Sequence, residues 1–166
     1  MAKITLKGNP VTTCGELPAV GSKATGFKLV KSDMAEVTLD SYAGKKKILN
    51  IFPSVDTGTC SMSVRKFNEK AAGLKNTVVL CISADLPFAH KRFCGAEGIA
   101  NVDSLSTFRS SFAKEYGLEL TDSPLKGLCS RVVIVLDENN KVLYTEQVAD
   151  IVNEPNYEKA LQAAGQ

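Results

Sequence analysis

The feature that most constrains this chain is a strand–helix–strand run in its middle third. Ile48-Leu49-Asn50-Ile51-Phe52 is a compact apolar stretch that Pro53 stops. Beyond Cys60, apolar residues fall at Val64, Phe67, Ala71 and Leu74, with Arg65, Lys66, Asn68 and Glu69 between them. Offsets of three and four predict an amphipathic helix, loosened at its end by Gly73. Thr77–Ser83 is then a nearly continuous β-branched run of the kind buried in parallel sheets. Two parallel strands joined by a helix form a right-handed crossover. The chain therefore has to build a sheet with helices packed on it. At 166 residues it buries roughly two-thirds of its unfolded surface, enough for a core without disulfide or metal staples. That length fits one domain over residues 1–166.

Other elements fit around this unit. Ile4-Thr5-Leu6 and Val11-Thr12-Thr13, broken by Gly8-Asn9-Pro10, predict an N-terminal hairpin. Phe27–Val30 and Glu36–Leu39 read as strands. Phe88–Cys94 reads as a short helix followed by a glycine-punctuated loop, and Ser106–Tyr116 as a second helical stretch. Arg131–Leu136 and Lys141–Tyr144 flank Asp-Glu-Asn-Asn, a hairpin signal, and Glu154–Ala164 reads as a terminal helix with Pro155 in its first turn. This order predicts an α/β, thioredoxin-like fold: a central mixed sheet flanked by helices, with an N-terminal β-hairpin.

Charge excludes some functions. The net charge is +2, and the only dense basic run, Lys45-Lys46-Lys47, reads as a solvated turn, so neither nucleic acid nor membrane is an expected partner. No window approaches the roughly 18 apolar residues of a membrane span. No secretory signal opens the chain, which points to the cytoplasm rather than the periplasm.

The five cysteines are Cys14, Cys60, Cys81, Cys94 and Cys129. An odd number without a CxxC pair argues against a disulfide framework and against a zinc site. The single histidine, His90, precedes Cys94 by one helical turn, too little for a metal site; as a base for that thiol it lacks an evident orienting partner, and it reads as an exposed helical residue.

Cys60 is placed differently. It ends Thr57-Gly58-Thr59-Cys60, where a strand's carboxyl end meets a helix N-terminus, the usual ligand position in α/β sheets. There the helix dipole and unpaired backbone N–H groups favour a thiolate, which is the nucleophile. By position alone Cys60 is equally readable as a small buried residue beside an N-cap at Thr57 or Thr59.

Longer phrases decide between these readings. The runs PSVDTGTC, LPFAHKRFCGAEG, STFRSSFAKEYGL and PLKGLCSRVVIVLDENNKV resemble the bacterial thiol peroxidases, the Tpx group of atypical 2-Cys peroxiredoxins, over essentially the whole chain. The resemblance implies an antioxidant enzyme that reduces hydrogen peroxide and alkyl or lipid hydroperoxides. Cys60 would be the peroxidatic cysteine in a Pro-x-x-x-Thr-x-x-Cys pattern met by Pro53, Thr57 and Cys60. Thr57 would hydrogen-bond the thiolate and the peroxide, Pro53 would shield the thiolate from water, and Arg131 would stabilise it and polarise the O–O bond. Cys94 would be the resolving cysteine, at a helix end that Gly95 and Gly98 allow to fray. A Cys60–Cys94 disulfide would be recycled by thioredoxin, with no metal, haem or flavin, in a homodimer. Cys81 reads as a core residue, and Cys14 and Cys129 as extra thiols in loops. Against this stand a Cys–His hydrolase using His90 and a non-catalytic thioredoxin-like binding module, which has no need to keep Pro53, Thr57, Cys60 and Arg131 together.

Overall fold

A computed structural model describes residues 1–165; Gln166, the last residue of the expected 1–166 unit, lies outside the described residues. The chain opens with β1 (Lys3–Leu6) and β2 (Asn9–Thr12), paired antiparallel with Ile4 opposite Val11. Their turn is Lys7-Gly8, with φ of 51° and 81°, the left-handed pair that a two-residue hairpin requires. The break expected at Asn9-Pro10 is therefore strand. Pro10 sits exposed opposite Thr5, at an edge where its missing N–H costs little.

Seven further strands form one mixed sheet: β3 (Lys28–Lys31), β4 (Glu36–Thr38), β5 (Lys46–Ile51), β6 (Thr77–Ser83), β7 (Asp103–Ser106), β8 (Val132–Leu136) and β9 (Val142–Gln147). Their order is β4-β3-β7-β6-β5-β8-β9, parallel across β5, β6 and β7 and antiparallel elsewhere. The helices are α1 (Gly58–Ala71), α2 (Pro87–Glu97), the single turn α3 (Phe112–Glu115) and α4 (Tyr157–Ala163). The predicted strand–helix–strand unit is β5-α1-β6.

Side-chain alternation builds a core on each face of the sheet. Leu49 and Ile51 on β5, with Leu80 and Ile82 on β6, join Leu29, Phe112 and Tyr116 on one side. Ile48, Val79, Cys81 and Val133 point the other way, against Val64 and Phe67 of α1, Phe93 of α2 and Ala160 of α4. A third, smaller cluster of Ile4, Val11, Leu120 and Ile151 seats the N-terminal hairpin.

Four expectations need correction. Part of the stretch Ser106–Tyr116 is not helical: Ser106 ends β7, and only Phe112–Glu115 forms helical turns. The apolar spacing there arises because Leu105, Phe112 and Tyr116 reach the same core from a strand, a helix and the turn after it. α2 runs on through Cys94 and Gly95 to Glu97 and stops at Gly98, whose φ of 66° is the left-handed cap. Lys47 is buried in β5, its Nζ donating to Asn140 Oδ1 at 2.6 Å, so Lys46 and Lys47 of the basic run are strand and only Lys45 is an exposed bend. Pro155 precedes α4, whose N-cap is Asn156, with Oδ1 accepting from Lys159 N at 3.0 Å.

Candidate active site

The loop after β5 delivers Cys60 to the first turn of α1. Ser54 organises that loop: its Oγ accepts from Asp56 N at 3.1 Å, and its carbonyl accepts from Thr57 N at 3.2 Å. Thr57 is the N-cap residue, extended at φ −102° and ψ 145°. Its hydroxyl donates to the Ser54 carbonyl at 3.1 Å, and not to the Cys60 sulfur as the resemblance implies. With that donor engaged, what Thr57 offers an incoming molecule is a hydroxyl oxygen that accepts. Thr59 Oγ1 donates to the Val152 carbonyl at 2.8 Å and fixes the helix start against the segment after β9.

Cys60 is fully buried, packed with Phe52, Val55 and Val64. It lies in the first turn of α1, whose first three backbone N–H groups have no intrahelical partners. Arg131, immediately before β8, is also buried, with 1% of its surface exposed. Its Nη2 donates to Cys60 Sγ at 3.1 Å and its Nε to the Ile151 carbonyl at 2.6 Å, while Nη1 has no partner. Backbone holds this arginine in place: the Arg131 carbonyl accepts from Val148 N at 3.0 Å and Gln147 Nε2 at 3.2 Å. A guanidinium is always charged, so the buried thiol faces a permanent cation.

Above them opens a cavity of about 490 Å³ between this loop and the N-terminal hairpin. Pro53, Thr57 and Arg131 line it together with apolar walls from Leu6, Leu125, Ile151 and Val152. No motif in the sequence marks those walls, because they come from the hairpin and two loops distant along the chain. The Ile151 carbonyl that anchors Arg131 is main chain and carries no side-chain signature.

Cys94 lies elsewhere, half-buried on α2, with its Sγ 3.3 Å from Ser104 Oγ on β7. All five cysteines are free thiols. Cys81 and Cys129 are fully buried, and burial pushes each thiol up to about 12. Cys129 is bridged to Glu119 through backbone and points into the core, so it is no loop thiol. Cys14 is half-buried, its Sγ 3.8 Å from each of the Ala113 and Lys114 carbonyls. His90 is fully buried, contrary to the exposed position expected, and its Nε2 lies 3.1 Å from Ser83 Oγ. It hydrogen-bonds to neither Cys60 nor Cys94, which removes the geometry a Cys–His hydrolase needs. Among the described residues no group of three or more His, Cys, Asp and Glu side chains could hold a metal ion, and no helix is long and apolar enough to cross a membrane.

Comparison with known proteins follows this geometry. The Redoxin family model matches residues 19–161. A thiol peroxidase of Corynebacterium glutamicum is 57% identical over 163 residues, spanning 98% of this chain and 99% of that one. A peroxiredoxin-like protein from Aquifex aeolicus superposes with a TM-score of 0.94 at 36% identity, covering 99% of this chain and 96% of the other. A thiol peroxidase from Chromobacterium violaceum gives 0.90 at 26% identity, over 100% and 99% of the two chains.

Proposed function

This chain belongs to the Redoxin family, among its thiol peroxidases, and from that premise we propose that it reduces peroxides through Cys60 and Cys94. Thiol-dependent peroxide reduction is the family's activity; the residues and the recycling partner are our assignment.

The contact that carries the reading is Arg131 Nη2 on Cys60 Sγ at 3.1 Å, both groups buried, with Arg131 part of the cavity lining. Negative charge on that sulfur meets a fixed cation and the free N–H groups of α1. The Cys60 thiolate attacks the terminal oxygen of a hydroperoxide. The S–O bond forms as the O–O bond breaks, and the alkoxide leaves with that electron pair and takes a proton to become an alcohol, or water from hydrogen peroxide. Arg131 Nη1 is free to donate to the departing oxygen, and Thr57 Oγ1 to accept a hydrogen bond from the peroxide O–H, whose proton stays on the oxygen transferred to sulfur. Pro53, buried at the cavity wall, keeps water from the sulfur. The apolar walls suit the carbon chain of an organic hydroperoxide as well as hydrogen peroxide.

Cys94 sulfur then attacks the Cys60 sulfenic acid, S–S forms, and water leaves carrying the Cys94 proton. The two Cα atoms have to come within roughly 7 Å, so both segments must open locally. A dithiol reductant of the thioredoxin type restores both thiols and is itself oxidised to a disulfide. Exposed Leu86, Phe88 and Met62 supply an apolar surface for the homodimer that the resemblance implies.

A non-reducing peptide map after reduced protein meets one equivalent of cumene hydroperoxide tests the assignment. The expected product is a Cys60–Cys94 linkage with Cys14, Cys81 and Cys129 free. Pairing of Cys60 with Cys14 or Cys129 would overturn the role of Cys94. An unmodified Cys60 would overturn the mechanism.

A further inference from the structure

Asp85, between β6 and α2, has no place in the chemistry above, yet its carboxylate binds the loop that carries Cys60. It accepts from Ser54 Oγ at 2.7 Å and Val55 N at 2.9 Å, both in that loop, and from Ser83 Oγ at 2.5 Å at the end of β6. The Ser83 hydroxyl also lies 3.1 Å from His90 Nε2, on α2 one turn before Cys94. A hydroxyl has one proton. Given to the carboxylate, it leaves Ser83 Oγ to accept from His90 Nε2–H, which puts a proton on Nε2. Nδ1 is buried without a partner, and burial lowers the His90 pKa. The Asp85 carbonyl accepts from Ser106 Oγ at 2.5 Å, which ties the hub to the end of β7. Outside it, Arg92 Nη2 of α2 meets Asp56 Oδ1 of the loop at 2.6 Å, an exposed pair screened by water.

We propose that Asp85 is a positioning residue that couples the Cys60 loop to the Cys94 helix, so that the two segments let go together when the disulfide forms. Its bonds run through Ser54 and Val55 to the first segment and through Ser83 and His90 to the second. The carboxylate holds the reduced, closed arrangement in which Cys60 meets peroxide, and resists the opening that Cys94 needs. This proposal rests on the pairing of Cys60 with Cys94, which the peptide map on wild-type protein tests separately.

Rapid-quench mass spectrometry after a peroxide pulse reads two steps: oxidation of Cys60 and disappearance of its sulfenic acid into disulfide. Asp85→Asn should slow the first and speed the second by about tenfold, and lower the sulfinic acid formed at excess peroxide. Ser54→Ala and His90→Leu should each speed disulfide formation. Combined, they should do no more than the larger single change, because either one opens the same linkage. His90→Gln, whose amide can reach the Ser83 hydroxyl, should restore the wild-type rate, which general loosening of the fold would not allow. Should Asp85→Asn fail to fold, the Ser54 and His90 set reads the same coupling with Asp85 in place. Rates that multiply in the double variant, or no rescue by glutamine, overturn the proposal. A wild-type map lacking the Cys60–Cys94 linkage overturns the pairing instead.

Discussion

Cys60 and Cys94, the two thiols proposed to react, sit in surroundings of opposite design. Cys60 is closed on all sides: fully buried, in the first turn of a helix, with an arginine fixed by strand-end backbone at 3.1 Å. Cys94 is half-buried near the end of α2, its thiol against a serine hydroxyl, and followed by four exposed residues, Gly95 to Gly98, before the chain turns. The contrast separates two tasks. A nucleophile that must carry charge needs fixed donors and no water. A thiol that must travel to it needs a helix end that opens at a fraction of the global unfolding cost.

The sharpest way to break that contrast compares Cys94 with Cys81, its neighbour on the same face of the sheet. Cys81 lies in the central strand β6 and its thiol is pushed up to about 12 by burial. Iodoacetamide with mass readout should label Cys94 in native protein, while Cys81 is protected by a factor of about 10³ or more, the cost of near-global opening. Equal labelling would mean that α2 is no looser than the sheet.

Next in size is the cation. Arg131→Met keeps much of the side-chain volume and removes the guanidinium donors, and should lower the second-order rate of Cys60 with peroxide by about 10²–10³-fold. Stopped-flow competition against a reference peroxidase measures it. A loss below about tenfold would reduce Arg131 to a packing residue.

Parts of this arrangement were legible in the chain and parts were not, for physical reasons. Continuous apolar runs located β5 and β6, because Ile48–Phe52 and Thr77–Ser83 are buried on both faces of the sheet, and period-3.6 patterning located α1, because Val64–Leu74 buries one face. Strand β7 was hidden, since Asp103–Ser106 carries two serines and an aspartate and is strand only because β6 and β3 flank it. Cys60 was visible as a thiol at a helix start; Thr57, Pro53 and Arg131 gained their roles only from the family resemblance. The structure brings Arg131 onto the sulfur and gives the Thr57 hydroxyl a different partner, the Ser54 carbonyl. His90 read as exposed because Lys91 and Arg92 follow it; a helix buries one face, and His90 lies on it beside Phe93.

That buried histidine makes a smaller, pH-dependent prediction for the Cys94 side. Burial lowers its pKa from the ordinary 6.5. The unfolded chain therefore binds the proton that the fold resists, and stability rises with pH wherever that difference holds. The contribution is full above 6.5 and declines as pH falls below it toward the folded value. Urea midpoints at about pH 7.5 and about pH 5 should show the decline in wild type, and His90→Gln should flatten it. An unchanged slope in that variant would assign the effect to other groups.

The smallest expected effect lies on the Cys60 side, at the hairpin that walls the cavity. The Asp150 carboxylate accepts from Thr5 Oγ1 at 2.8 Å, Gly8 N at 3.0 Å, Lys7 N at 3.1 Å and Val152 N at 3.2 Å. The Thr5 hydroxyl first, then the backbone donors, pull its pKa from 3.8 to about 2. A depressed carboxylate stabilises the fold above its unfolded value and loses that contribution as pH falls, here from 3.8 down to about 2. Thermal melts across that window should steepen in wild type relative to Asp150→Asn. At neutral pH the variant should bind bulky hydroperoxides less well while its rate with hydrogen peroxide holds, because the hairpin supplies Leu6 to the cavity wall and nothing to the sulfur. Equal losses with both peroxides would place the hairpin's influence on Cys60 itself and blur the line between wall and reaction centre.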